Sequence, residues 1–226
     1  MNLSVMIAVY PGVTHLDFTG PHQFLCRIPG AQVTLASMGG QPVAADGLVF
    51  SGLSRLEEQD SCDVLFVPGG QGCTDTFETP GFLDAIRRLA LGARYITSVC
   101  TGSLILGAAG LLQGKRAACH WAWRDLLVPF GAIPDSARVV RDANVITGGG
   151  VTAGMDFALT LIEELAGAGL AQTIQLGLEY APEPPYHSGR PETAPAEIVQ
   201  RYSQGLSALR VVRTEAVNKA VGRFSA

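Results

Sequence analysis

One cysteine in this 226-residue chain sits where a nucleophile could be made. In Ile96-Thr97-Ser98-Val99-Cys100-Thr101-Gly102-Ser103, a β-branched apolar run meets small residues that open a helical pattern. A strand that runs straight into a helix turns sharply, and the turn lifts its residue out of the sheet as a nucleophile elbow. The start of a helix carries about half a positive charge and free N–H groups. Both favour the thiolate, the form of cysteine that attacks carbon. Cys100 is therefore expected to ionise more readily than an ordinary thiol. The bland use of a cysteine is as a small buried hydrophobe, and that reading suits Cys26, Cys62, Cys73 and Cys119.

A nucleophile needs donors for the charge it creates, and an acid or base. Pro68-Gly69-Gly70-Gln71-Gly72 follows another apolar run. Its glycines let backbone N–H groups come close to a ligand. No GxxxxGK[ST] or GxGxxG is present, which disfavours a phosphate loop. Gly148-Gly149-Gly150-Val151 closes a third run before a helix and brings Gly149 and Val151 as further donors. Asp17 is the only carboxylate among the first 45 residues. Between Leu16 and Phe18 it is either a helix cap or a pocket acid with a raised pKa, suited to proton transfer near neutral pH. His120, in Ala118-Cys119-His120-Trp121, either approaches the sulfur from another element or is simply packed and bonded to backbone.

The elements that must position these groups are short. Apolar runs at 3–9, 33–36, 64–67, 95–99 and 145–146 each end at turn residues and read as strands buried on both faces. Helical patterns cover 20–28, 80–91, 103–112 and 152–168. Strand, turn, helix, strand is the signature of a parallel sheet with right-handed crossovers. Segments 42–50 and 138–146 look like hairpins added to that sheet. The fold class is α/β, a mostly parallel sheet with helices on both faces, over 1–180.

From Ala181 the composition changes. Pro182, Pro184, Pro185, Pro191 and Pro195 mark a semi-rigid loop. Ile198, Tyr202, Leu206, Leu209, Val217, Val221 and Phe224 then recur at three- or four-residue steps, with one gap at Arg213. That pattern predicts a single amphipathic helix over the rest of 181–226, docked on the domain or on a second copy.

Composition narrows the classes. Hydrophobic residues are 47 % and charged residues 16 %, which excludes disorder. A net charge of −4 gives no basic face for nucleic acid. The four histidines form no HxxxH or HxH pair, so no metal site is expected. Five unpaired cysteines point to a reducing, cytoplasmic setting. No apolar run is long enough for a membrane span or signal peptide.

Several segments together resemble the ThiJ/PfpI superfamily, of class I glutamine amidotransferase-like fold, and within it the isocyanide hydratases. They are Leu16-Asp17-Phe18-Thr19-Gly20-Pro21, Val67-Pro68-Gly69-Gly70, the Cys100 turn, Leu111-Leu112-Gln113-Gly114-Lys115-Arg116-Ala117, His120-Trp121-Ala122, Thr147-Gly148-Gly149-Gly150-Val151-Thr152-Ala153-Gly154, and Leu178-Glu179-Tyr180-Ala181-Pro182. Many members of the superfamily carry Glu where Asp17 stands and His where Thr101 stands; Asp and Thr resemble the hydratases. The resemblance implies a flavodoxin-like homodimer that uses no cofactor, with an isocyanide as its small-molecule partner and an N-substituted formamide as product. Cys100, Asp17 and Thr101 would be catalytic, with backbone N–H groups at Gly69, Gly70, Gly149 and Val151 as donors and His120 behind them. A glyoxalase- or deglycase-like action on 2-oxoaldehydes, and a non-enzymatic redox sensor at Cys100, remain open beside it. Other relatives are transcription regulators with an added helix-turn-helix, for which residues after 180 leave too little chain.

Overall fold

The computed structural model of the protein describes residues 3–223. In chain order its elements are β1 (Leu3–Ala8), α1 (His15–Leu25), β2 (Ala31–Ser37), β3 (Val43–Ala45), β4 (Leu48–Phe50), β5 (Ser54–Arg55), β6 (Val64–Val67), α2 (Phe82–Gly92), β7 (Tyr95–Val99), α3 (Gly102–Ala108), β8 (Arg116–Ala117), β9 (Ile133–Pro134), β10 (Val139–Asp142), β11 (Val145–Gly148), α4 (Ala153–Ala166), α5 (Ala168–Gly177), α6 (Ala196–Gly205) and α7 (Ser207–Gly222). Two 3₁₀ helices, Gln71–Phe77 and Trp121–Phe130, precede α2 and β9.

Seven strands form one sheet in the order β10-β11-β7-β6-β1-β2-β5. Every neighbouring pair is parallel except β10 with β11 at one edge. Helices flank it: α1 packs on α4, and α2 on α3. The four residues of β6 and all of β7 are buried, as continuous apolar or small runs require in a sheet covered on both faces. Phe66 of β6 meets Phe157 of α4 at 5.2 Å between ring centres, joining sheet to helix. The polar residues of β7 are satisfied inside the core. Thr97 Oγ1 donates to the Leu65 carbonyl, and Ser98 bonds Ser103 at the start of α3.

This strand order places the site. β11, β7, β6 and β1 are adjacent, so the segments that leave their carboxyl ends come together. Those segments carry Gly149 to Val151, Cys100, Gly69-Gly70 and Asp17 respectively. In an open parallel sheet that edge is where ligands bind.

Four expectations need correction. The 42–50 hairpin forms its own two-stranded sheet, β3 with β4, rather than joining the large one. Asp46 and Gly47, both at positive φ, close it as a tight turn, and Phe50 packs edge-on against Phe18. The helix predicted over 152–168 stops at Gly167, whose φ of 87° breaks it, and α5 follows. The helix predicted over 20–28 begins earlier, at His15, because Thr14 takes the extended cap conformation; Pro21 is accommodated inside. The single C-terminal helix is two. Gly205 weakens the ladder, the Leu206 N–H falls back on the Ser203 carbonyl three residues earlier, and α7 starts anew. Ile198 and Tyr202 stay exposed, Val217 is buried, and Phe224 lies outside the described residues.

Candidate active site

Cys100 occupies the turn between β7 and α3 with φ of 58°, the left-handed region that side chains with a Cβ avoid. Such a conformation costs about 1–3 kcal/mol and persists only where its surroundings impose it. Here the Cys100 N–H donates to the carbonyls of Gly148 and Gly149 at 3.1 and 2.7 Å, tying the turn to the end of β11. Gly102 is required beside it, since a Cβ there would lie 2.0 Å from the Val67 carbonyl oxygen.

Asp17 lies in the first turn of α1 and is fully buried. Its Oδ2 accepts the Gly69 N–H at 2.8 Å, and its carboxyl lies beside the Cys100 thiol. Its Oδ1 is buried with no partner. The cap position is Thr14, so Asp17 is not the helix cap but a buried carboxyl within the first turn. Burial raises its pKa from 3.8 to about 7, against the opposing pull of the Gly69 and Cys100 hydrogen bonds. Protonation at Oδ1 would remove the charge from the orphan oxygen at little geometric cost.

The expectation of a thiol eased towards ionisation by the helix start needs correction as well. Burial, and then the Asp17 charge, push the Cys100 thiol well above its ordinary range. The Thr101 and Val151 N–H groups bond the sulfur and pull the other way, but do not win. Asp17 therefore loses its proton first, near 7, while the Cys100 thiol keeps its own.

The structure brings the other predicted residues close, but gives them different tasks. Among the predicted donors, Val151 points at the sulfur. The Gly69 N–H goes to Asp17, the Gly70 N–H to Thr101 Oγ1 at 2.9 Å, and the Gly149 N–H to the Arg138 carbonyl. Thr101 Oγ1 also contacts the Gly70 carbonyl at 3.2 Å, so its hydroxyl braces the 69–70 loop. Gly69 is glycine because a Cβ would meet Thr101 N at 2.4 Å and Asp17 Oδ2 at 2.9 Å. His120 caps the Trp121–Phe130 helix through Nδ1 and forms a three-ring cluster with Trp121 and Tyr202. Burial, then Arg213 and Arg124, lower its pKa to about 4, so it is neutral.

A cavity of about 200 Å³ opens beside this centre. Cys119, His120, Gly149, Gly150, Val151, Arg124, Arg138, Arg190 and Glu192 are among its lining; Cys100 and Asp17 are not, and Val151 is what joins it to the surroundings of the sulfur. Two residues missed by sequence reasoning brace the site. Tyr10 donates its hydroxyl to the Pro68 carbonyl at 2.8 Å. Arg213, read as a gap in an apolar stripe, is buried against the Gly70 carbonyl. The one available signal for it was that gap, a single charged residue on the packed face of a helix.

The raised Asp17 pKa makes stability depend on pH. The folded protein holds the Asp17 proton more tightly than the unfolded chain, so its contribution is complete below 3.8 and is lost as pH rises through about 7. Denaturant unfolding of wild type and Asp17→Asn at a series of pH values should show the wild type losing a few kcal/mol relative to the variant across that range. A difference independent of pH would contradict the raised pKa.

With that geometry in place, comparison with known proteins is informative. The DJ-1/PfpI family model matches residues 3–164. The isonitrile hydratase of Pseudomonas putida is 48 % identical over 226 residues, covering 100 % of this chain and 99 % of that one. The crystal structure of a ThiJ/PfpI family protein from Pseudomonas syringae superposes with a TM-score of 0.92 at 40 % identity, over 98 % of this chain and 91 % of that one. Drosophila melanogaster DJ-1beta superposes with a TM-score of 0.71 at 28 % identity, over 80 % of this chain and all of its own. The chain belongs to the DJ-1/PfpI family.

Proposed function

We propose that the protein is an isocyanide hydratase, adding water to R–N≡C to give an N-substituted formamide through a covalent adduct on Cys100. The observation that carries the reading is the buried Asp17 carboxyl, held by the Gly69 N–H, beside the Cys100 thiol at the elbow. The full-length similarity to a protein named for that activity supports it.

The terminal carbon of an isocyanide must gain both a nucleophile and a proton. Asp17 takes the thiol proton as sulfur attacks, then delivers it to that carbon; a C–S bond and a C–H bond form, giving the thioimidate R–N=CH–S–Cys100. Asp17, again a carboxylate, takes a proton from water as it attacks the same carbon and passes that proton to the nitrogen, giving R–NH–CH(OH)–S–Cys100. Collapse breaks the C–S bond, releases R–NH–CHO and returns the proton to the pair. Val151 and Thr101 N–H groups support the charge on sulfur whenever it develops. A carboxyl with pKa near the working pH suits both directions of this transfer. The groups named lie within the 1–180 unit, and α7 of the 181–226 extension reaches the Gly70 carbonyl through Arg213.

Two coarser features belong to the same reading. Leu48, Val49, Val211 and Val212 expose apolar side chains, which suits a homodimer. All five cysteines are free, which suits the cytoplasm. No helix among the described residues is long and apolar enough to cross a membrane.

The test is a panel of alkyl and aryl isocyanides followed for formamide. Wild type should turn over, and Cys100→Ala and Cys100→Ser should lose at least about a thousandfold in kcat. kcat/KM should rise with pH through about 7, as the Asp17 proton leaves the pair, and Asp17→Asn should abolish both the rate and that limb. Wild-type rates in Cys100→Ala would end the reading. Consumption of methylglyoxal with no isocyanide turnover would replace it with the 2-oxoaldehyde one.

A further inference from the structure

Arg213 is charged, yet its residue surface is only 2 % exposed. No carboxylate among the described residues pairs with it; the exposed arginines of the same region, Arg210 and Arg223, do have partners, Asp125 and Glu78. Its guanidinium lies over the Trp123 ring at 4.2 Å, and Nη2 donates to the Gly70 carbonyl at 2.9 Å and the Gln71 carbonyl at 3.3 Å. Its Nε is buried without a partner. Burying an unpaired cation costs several kcal/mol, so stability alone would favour an apolar residue here.

What it grips explains its place. The Gly70 carbonyl receives Arg213 on one side and the Thr101 hydroxyl on the other. The Gly70 N–H bonds Thr101 Oγ1, and the Gly69 N–H, one peptide further back, bonds Asp17. Gly70 itself sits at φ of 157°, open to glycine and little else, so its peptide has no side chain to hold it. A cation on the carbonyl supplies that restraint. Arg213 stands on α7, beyond the 3–164 span of the family model. Drosophila DJ-1beta, all of which is matched, reaches only 80 % of this chain, whereas the Pseudomonas putida hydratase matches through to its end.

We propose that Arg213 is a positioning residue: the C-terminal extension reaches back into the family domain and locks the Gly70–Gln71 peptides, thereby aiming Thr101 and the Gly69 N–H at the Cys100–Asp17 pair. The proposal rests on the hydratase reading for its rate effect, but not for its geometry. The groups facing Arg213 are Tyr10 after β1, Cys73 in the Gln71–Phe77 helix, and Cys119 and His120 before the Trp121–Phe130 helix. Those facing Asp17 are Cys100, Tyr10 and Asp46.

The full chain is tested as Arg213→Gln, Arg213→Lys and Arg213→Ala, each checked for folding by circular dichroism. In Arg213→Gln, kcat for an isocyanide should fall about tenfold or more while KM changes less than about threefold. Arg213→Lys should recover part of the loss, and guanidinium ion added to Arg213→Ala should recover part of it too. A second readout needs no isocyanide: alkylation of Cys100 by iodoacetamide as a function of pH. A loosened Gly69 N–H no longer holds the Asp17 pKa down, so the alkylation midpoint should move to higher pH in Arg213→Gln and return in Arg213→Lys. A folded Arg213→Gln with wild-type kcat and midpoint overturns the proposal. So does a loss of activity that neither Lys nor guanidinium rescues while the alkylation profile stays in place, because that marks a purely structural role. If wild type hydrates no isocyanide, the function fails, and the alkylation arm still decides the role of Arg213.

Discussion

Everything at the site depends on a carboxyl and a thiol that are buried together and cannot both be charged. Desolvation disfavours ionisation of both, and the Asp17 charge disfavours ionisation of Cys100 further, while the neutral thiol favours the Asp17 carboxylate. The arrangement left above pH 7 is a carboxylate beside a neutral thiol. That is a different device from a thiolate made by a helix start alone. It stores the nucleophile as its neutral form and keeps the proton within reach of the atom that will need it. For a substrate whose single carbon must accept sulfur and hydrogen in turn, the proton's address matters as much as the sulfur's reactivity.

The scaffold is arranged to hold that pair. Four adjacent parallel strands end at one edge, and each contributes one component. Strain at Cys100 is sustained by two carbonyls of the next strand. Glycines appear where backbone must pass within contact distance of backbone: Gly69 against Thr101 and Asp17, and Gly102 against Val67. Buried hydroxyls then close the remaining gaps. Ser103 links Ser98 to the Ala118 carbonyl, and Thr147 accepts the Ala118 N–H, so the peptide before Cys119 and His120 is fixed from beneath the elbow. A misplaced hydroxyl here would leave buried polar groups unpaired, at about 1–3 kcal/mol each.

Much of this is legible in the sequence, and the reasons differ by element. The strands and the elbow could be read because a strand buried on both faces must be continuously apolar or small, and few residue types tolerate the turn that follows. Asp17 stood out as an isolated acid between apolar residues. The direction of the Cys100 shift was not legible, because it is set by burial that only the packed neighbours create. The tasks of Gly69, Gly70 and Gly149 were not legible either: a glycine advertises that backbone comes close, not which atom its N–H meets. The break at Leu206 escaped because the apolar spacing passes through Gly205 unchanged. Arg213 was visible only as an interruption in a stripe, and its partner lies 143 residues away in the chain.

The central claim is a neutral Cys100 thiol beside an Asp17 carboxyl that ionises first, and it can be observed directly. Infrared difference spectra across a pH titration, with Asp17→Asn as the reference, report a buried carboxylic acid through its carbonyl stretch, while ultraviolet absorbance reports the thiolate against Cys100→Ala. The account predicts a carboxylic acid band that disappears with a midpoint near 7 and is absent in Asp17→Asn, with no thiolate absorbance in the resting protein below that pH. A full thiolate signal in mildly acidic solution, together with an Asp17 carboxylate already ionised there, would contradict it.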